Sequence, residues 1–116
     1  MFEYSGYRFI LACGATDMRK SINGLSEIVL GHFRLDPRDK IIFGFCNRMR
    51  NRVKLLVWED NGFWIHFKRI EKGRVSWPEP DGESDAMTVT AEDIRTILAS
   101  PGVVQKLKRS EAWKTE

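Results

Sequence analysis

Residues 52–70 have the sequence RVKLLVWEDNGFWIHFKRI, in which two alternating runs flank Asp60-Asn61-Gly62. Alternation and a short glycine-containing turn indicate a β-hairpin. We predict a three-residue turn, because that register separates apolar from polar side chains. One face then carries Val53, Leu55, Val57, Phe63, Ile65 and Phe67, and the other carries Arg52, Lys54, Leu56, Trp58, Trp64, His66 and Lys68. A two-residue turn at Asn61-Gly62 is the alternative, and it mixes the two sets.

The residues before the hairpin predict two strands and a helix. Residues 7–12 form a β-type run, and residues 40–46 have the composition of a buried strand. Between them lies a stripe at helical spacing, capped by Thr16 and ended by Asp36-Pro37. It predicts one long helix over about 17–33.

The residues after the hairpin predict shorter elements. Residues 74–77 predict a short last strand, and residues 87–89 predict an edge strand. Thr90 and Asp93 resemble a capping box before a short helix. The predicted fold class is α+β: a mainly antiparallel sheet of about five strands with one long helix packed on it and a short C-terminal helix. Residues 1–102 form a single domain in this prediction, and residues 103–116 form a tail or weak helix.

Composition is typical of one globular domain. The chain has 116 residues, of which 42% are hydrophobic, and it has no run approaching the ~20 apolar residues of a membrane span. The first residues do not resemble a signal peptide. We therefore expect a cytoplasmic protein with no membrane partner, in which Cys13 and Cys46 are inert core thiols rather than a disulfide.

Charge is distributed unevenly along the chain. Residues 40–74 contain nine Lys or Arg and three Asp or Glu, whereas residues 79–85 contain four acids and no base. The sharpest pattern is the alternating row Arg48, Arg50, Arg52 and Lys54. In an extended segment these side chains share one side, where they suit a phosphate backbone. A solvated strand edge is the alternative interpretation.

Aromatic side chains and two further cations extend this predicted site. Trp58, Trp64 and His66 share the polar face of the predicted hairpin, where they could stack on bases. A helix covering the two tryptophans is the alternative. Lys68 and Arg69 enlarge the basic patch on the neighbouring strand.

Catalytic signatures are absent from the sequence. No clustered carboxylates follow core strands, and neither histidine accompanies a nucleophile and an orienting acid. The sequence also has no P-loop or dinucleotide-binding glycine motif. We expect a protein that is not an enzyme and uses no cofactor or metal.

Three separated motifs carry a resemblance to a known family. They are TDMRKSINGL (residues 16–25), NRMRNRVKLLVW (residues 47–58), and GFW (residues 62–64) continuing through KRIEKGR (residues 68–74) to Trp77-Pro78. In order and spacing they resemble the accessory TnpB family, encoded by the second open reading frame of insertion-sequence sixty-six transposons. The resemblance implies no catalytic residues. It implies only that the following residues belong to the motifs of the family: Asp17, Arg19, Lys20, Asn47, Arg48, Arg52, Lys54, Trp58, Trp64, Lys68, Arg69, Trp77 and Pro78.

The resemblance implies a role in transposition in a bacterial cytoplasm, with strand-transfer chemistry left to a separate transposase. Combined with the basic aromatic face, it predicts an accessory protein with DNA and the transposase as partners. The alternative is a protein–protein adaptor for the transposase that does not contact DNA.

Overall fold

Five strands and two helices make up the computed structural model, which describes residues 4–99. In chain order they are β1 (Arg8–Ala12), α1 (Ile22–Gly31), β2 (Ile41–Cys46), β3 (Arg52–Glu59), β4 (Gly62–Arg69), β5 (Ala86–Val89) and α2 (Ala91–Ala99). The prediction of an α+β fold with five strands is confirmed. The domain boundary at residue 102 and the tail prediction lie outside the described residues.

The strands form one mixed sheet in the order β4-β3-β2-β1-β5. β1 and β2 are parallel, while the other neighbouring strands are antiparallel. The prediction of a mainly antiparallel sheet is therefore wrong. Its physical reason is the connection through α1, which is long enough to cross over and start β2 at the same end of the sheet as β1.

The two helices cover opposite faces of this sheet. Leu25 and Val29 of α1 pack with Phe43 in one core cluster. Ile94 and Ile97 of α2 join the other cluster, which includes residues of β1, β3 and β5. We call these sides the α1 face and the α2 face. Both faces of the central strands are buried, so β2 has an uninterrupted apolar sequence.

The first helix is much shorter than predicted. It begins after Ser21 and contains 10 residues, so the prediction of one long helix is wrong. Before it, the Asp17 carboxylate accepts a hydrogen bond from the Arg19 backbone N–H at 2.9 Å. Such local bonding competes with helix formation. Beyond the helix, Arg34 has a φ of 57°, which turns the chain out of the helical path.

The hairpin has a two-residue turn, Asp60-Asn61, that joins the paired residues Glu59 and Gly62. Asp60 has a φ of 58°, a conformation that aspartate tolerates better than most residues. Both turns considered from the sequence are therefore wrong. The register is shifted by one residue from the preferred prediction, which places every side chain of β4 on the other face. The prediction failed because it assumed one polar face, whereas helices pack on both.

Residues 74–77 pack across the α2 face instead of forming the predicted strand. The buried indole of Trp77 donates a hydrogen bond from Nε1 to the Ala12 carbonyl at 2.8 Å. Gly44 makes room for this ring, because a Cβ there would lie 3.2 Å from Trp77 and 2.6 Å from Leu11. Trp77 therefore uses its polar atom to attach the segment to the end of β1.

The last described elements agree with the sequence. β5 is the predicted edge strand, and the capping box is confirmed. The Asp93 N–H donates to Thr90 Oγ1 at 3.0 Å, while the Thr90 N–H donates to Asp93 Oδ2 at 3.2 Å. Cys46 is buried, and no disulfide joins it to Cys13. Neither α1 nor α2 has the length and apolar character needed to span a bilayer.

Candidate nucleic-acid interface

The hairpin register divides the predicted binding residues between two faces. Cross-strand pairing joins Arg52 to Arg69 and Lys54 to Phe67 on the α1 face, where Trp58 also lies. On the α2 face it pairs Trp64, His66 and Lys68 with apolar residues of β3. The prediction that Trp58, Trp64 and His66 share one face is therefore wrong.

Asn47 organises the tight turn that joins β2 to β3. Its Oδ1 accepts hydrogen bonds from the backbone N–H groups of Asn51 and Arg52, both at 3.0 Å. Its Nδ2 donates to Asn51 Oδ1 at 2.7 Å. Because this segment is a turn rather than an extended strand, Arg48 and Arg50 do not continue the alternation of β3.

The two arginines of the turn have different environments. Arg48 is exposed to solvent. Arg50 has a φ of 62°, and only 17% of its side chain is exposed. Its guanidinium forms an ion pair with Glu79 and donates to the Gly14 carbonyl at 3.3 Å. Arg50 therefore links the basic turn to the acidic loop, and the predicted row of four cations is interrupted there.

Lys54 joins the first sequence motif to the second. Its Nζ donates hydrogen bonds to the backbone carbonyls of Met18 at 2.7 Å and Lys20 at 2.8 Å. The same ammonium lies 5.9 Å from the centre of the Phe67 ring. A lysine has three N–H donors, so one remains for another acceptor. Lys54 therefore positions the loop before α1 and keeps its charge on the α1 face.

Arg52 and Arg69 lie directly opposite each other at the start of β3 and the end of β4. Like charges in this position repel. Arg69 Nε donates to Glu71 Oε2 at 2.7 Å, and Arg52 approaches Asn51 Oδ1 at 3.5 Å. Phe67, 53% exposed, lies beside them. We call the set Arg48, Arg52, Lys54, Phe67 and Arg69 the basic surface.

The Asp17–Arg19 pair lies next to the basic surface, because Lys54 holds the loop that contains it. The Arg19 guanidinium contacts both carboxylate oxygens of Asp17, at distances from 2.7 to 3.1 Å. These hydrogen bonds lower the pKa of Asp17 to about 2. The charges of this pair largely cancel, while the neighbouring Lys20 is exposed.

The aromatic residues of the α2 face lie close to a carboxylate. Trp64 is 54% exposed, and its Nε1 donates to Glu59 Oε1 at 3.0 Å. Its ring stacks with His66 at a centroid distance of 6.0 Å, and the Tyr4 hydroxyl lies 3.1 Å from His66 Nε2. Burial lowers the pKa of His66, although Glu59 opposes the effect. The indole hydrogen-bond partner of Trp64 is therefore a carboxylate and not a cation.

The remaining motif residues have structural contacts. Lys68 Nζ donates to the Leu98 carbonyl at 2.7 Å, near the end of α2. Trp77 is buried, and the Pro78 carbonyl accepts from the Gly14 N–H at 2.8 Å. The ring of Trp58 packs edge-on against Phe63 at 5.0 Å. These residues therefore stabilise the fold around the site.

Sequence reasoning missed Phe67 and Glu79. Phe67 was assigned to the apolar core, because the predicted register placed it on that face. Glu79 was included only in the acidic loop, since no local pattern indicated its pairing with Arg50. The correct hairpin register would have placed Phe67 opposite Lys54. The contact of Glu79 with Arg50 depends instead on the path of residues 71–79.

Comparisons with known proteins identify the same family as the three sequence motifs. Residues 7–108 match the family described as "IS66 Orf2 like protein". Two proteins of Sinorhizobium fredii (strain NBRC 101917 / NGR234) are similar, and both are described as uncharacterized. The protein y4hO is 31% identical over 81 residues, 70% of each chain. The protein y4jC is 27% identical over 95 residues, covering 81% of this chain and 79% of its own.

No solved structure matches the chain. The family assignment therefore depends on sequence, and the match includes all three motifs. Lys54 brings the first motif against the second, and the β3–β4 pairing brings the second against the third. Since the match covers most of its length, the chain belongs to the IS66 Orf2-like family of transposition-associated accessory proteins.

Proposed function

We propose that this protein binds DNA through the basic surface and assists a separately encoded transposase in the bacterial cytoplasm. The observation that carries the proposal is the direct pairing of Arg52 with Arg69, next to Lys54. The register fixes the two arginines at paired positions, where like charges repel. A bound phosphate would relieve that repulsion, because it would accept hydrogen bonds from the two guanidinium groups.

The shape of the basic surface favours an extended polyanion over a single small anion. Arg52 and Lys54 point to the same side along β3, and Arg69 lies across from the first of them. Arg48 adds an exposed charge at the preceding turn. Contacts of this type position a nucleic-acid backbone without reading its sequence. The exposed ring of Phe67 offers an apolar contact for a sugar or a base.

The proposed role is binding and not catalysis. The family resemblance implies that strand transfer is left to the transposase. Two acids beside the basic surface, Asp17 and Glu71, pair with arginines. The basic surface is therefore suited to hold DNA while its partner acts.

Salt dependence of DNA binding tests this proposal. We would measure fluorescence anisotropy with labelled single- and double-stranded DNA, including transposon ends, between 50 and 200 mM salt. Four phosphate contacts give a log–log slope of about −3.6, which is a loss of roughly 150-fold in affinity over that range. The double variant Arg52→Ala/Arg69→Ala should reduce the slope to about −1.8.

The matched control is Arg38→Ala, because Arg38 is exposed and lies near the opposite end of β2. It should retain the slope of the unmodified protein. An unchanged slope in the double variant would exclude this surface as the site. An absence of DNA binding at low salt would instead favour the protein–protein adaptor.

A further inference from the structure

A second surface lies under α2, on the opposite side of the sheet from the basic surface. A cavity of about 600 Å³ opens between α2 and the strands. Its apolar wall includes Phe9, Ile42 and Leu55 from the sheet and Ile94 and Leu98 from α2. This volume is within the range of about 300–1,000 Å³ found for ligand pockets.

The charged residues of the cavity have one sign. Lys68 and Arg95 line it, and no carboxylate of residues 4–99 does. Lys68 uses one N–H to hold the Leu98 carbonyl, while Arg95 is exposed on α2. An occupant with apolar groups and neighbouring negative charges complements this lining.

The surface extends beyond the cavity through two aromatic residues. His66 lines the cavity, and the exposed ring of Trp64 stacks on it. Tryptophan and arginine are common among residues that dominate protein–protein binding. A small molecule would fill the cavity without covering Trp64, whereas a protein segment could cover both. Because the surface includes both the cavity and Trp64, it favours a protein segment over a small molecule.

Nucleic acid fits this side poorly. Glu59 accepts the Trp64 indole hydrogen bond, so a base stacked on that ring would bring its phosphates near a carboxylate. Like-charge repulsion would oppose such a complex. On the α1 face, the carboxylates beside the basic surface, Asp17 and Glu71, are paired with arginines.

We propose that the cavity together with Trp64, called the α2 groove, binds a segment of a partner protein with apolar anchor residues flanked by carboxylates. The anchors enter between α2 and the sheet, and the carboxylates face Lys68 and Arg95. An amphipathic helix is one segment that presents side chains in this pattern. This site goes beyond the proposed DNA contact and requires none of its residues.

Two synthetic peptides test the α2 groove. Each is an amphipathic helix with leucines at i, i+3, i+4 and i+7, and one has glutamates where its twin has lysines. Fluorescence anisotropy of the labelled peptides with the full chain should show about tenfold tighter binding of the glutamate peptide, a charge discrimination typical of interfaces. Trp64→Ala should weaken its binding by about thirtyfold, as expected for an interface tryptophan.

A charge reversal distinguishes binding at this site from nonspecific hydrophobic binding of the peptide. Arg95→Glu should reduce or reverse the preference for the glutamate peptide. Thr96→Glu is the matched control, because Thr96 is exposed on the same helix and does not line the cavity. It should leave the preference intact. Equal binding of both peptides, or an identical effect of the two α2 variants, would overturn the proposal.

DNA binding by the basic surface and peptide binding by the α2 groove can be tested independently. Arg52→Ala/Arg69→Ala should leave peptide binding unchanged, and Trp64→Ala should leave the DNA salt slope unchanged. If the unmodified protein bound the glutamate peptide preferentially but did not bind DNA, the basic surface would be contradicted and the α2 groove would not. If it bound DNA but showed no preference for the glutamate peptide, the α2 groove would be contradicted and DNA binding would not.

Discussion

Replacing Arg50 and Arg48 separately by alanine tests the division between structural and binding arginines. Arg50→Ala removes the ion pair with Glu79 and the hydrogen bond to the Gly14 carbonyl. Glu79 is 67% exposed, so the ion pair contributes at most about 1 kcal/mol. The hydrogen bond and the buried side-chain stem contribute about 1 kcal/mol more.

The free energy of unfolding should therefore fall by about 2 kcal/mol in Arg50→Ala, which lowers Tm by roughly 8 °C for a chain of 116 residues. Alanine retains the backbone cost of the positive φ, because it has a Cβ as arginine does. Arg48→Ala should leave Tm nearly unchanged and reduce the DNA salt slope by about 0.9.

Thermal unfolding by circular dichroism and the anisotropy salt series measure both quantities on the same proteins. Glu79→Gln provides a control, because it removes the ion pair and leaves the Arg50 backbone intact. It should lower Tm by less than Arg50→Ala. If Arg50→Ala keeps the original Tm and reduces the salt slope as much as Arg48→Ala does, Arg50 is a binding residue and not a structural one.

Three further predictions concern the framework and the acidic pair. Gly44→Ala should cost about 1–3 kcal/mol in urea unfolding through overpacking, whereas Gly62→Ala should be nearly neutral because a Cβ at that position would have no neighbouring atom within 4 Å. Trp77→Phe leaves the Ala12 carbonyl without its indole donor and should cost about 1–3 kcal/mol in the same assay. The pKa of Asp17 is about 2, below its ordinary value of 3.8, so its stabilising contribution is complete above the ordinary value and is lost as pH falls toward 2. An NMR titration of this carboxyl should show that shift, and Arg19→Ala should return the pKa toward its ordinary value.

Local sequence signals predicted the elements that depend on neighbouring residues. The hairpin followed from alternation around a polar turn, and the capping box at Thr90 followed from the spacing to Asp93. Buried β2 followed from its uninterrupted apolar run. Each of these features is determined within a few residues, and so it could be inferred without knowing the partners in the fold.

Features that depend on distant contacts could not be inferred. The hairpin register depends on whether one or both faces are buried, and the positions of α1 and α2 determine that. Trp77 resembles a strand residue, yet its place is set by the space above Gly44 and by the Ala12 carbonyl. Arg48 and Arg50 belong to the same alternating basic row in the sequence, whereas in the structure Arg50 contacts Glu79 and Gly14.

The one-residue register shift also changes which candidate binding residues share a face of the sheet. In the predicted register, the cations of β3 share a face with Trp64 and His66, which favours one composite DNA site. In the structure, Arg52 and Lys54 face the α1 side, while Trp64 and His66 face the α2 side next to Glu59. Because the sheet separates these groups, DNA contact and partner contact need not compete for the same residues. A protein that holds DNA on one face and a partner on the other can bring the two together, and the proposed variants test each face independently.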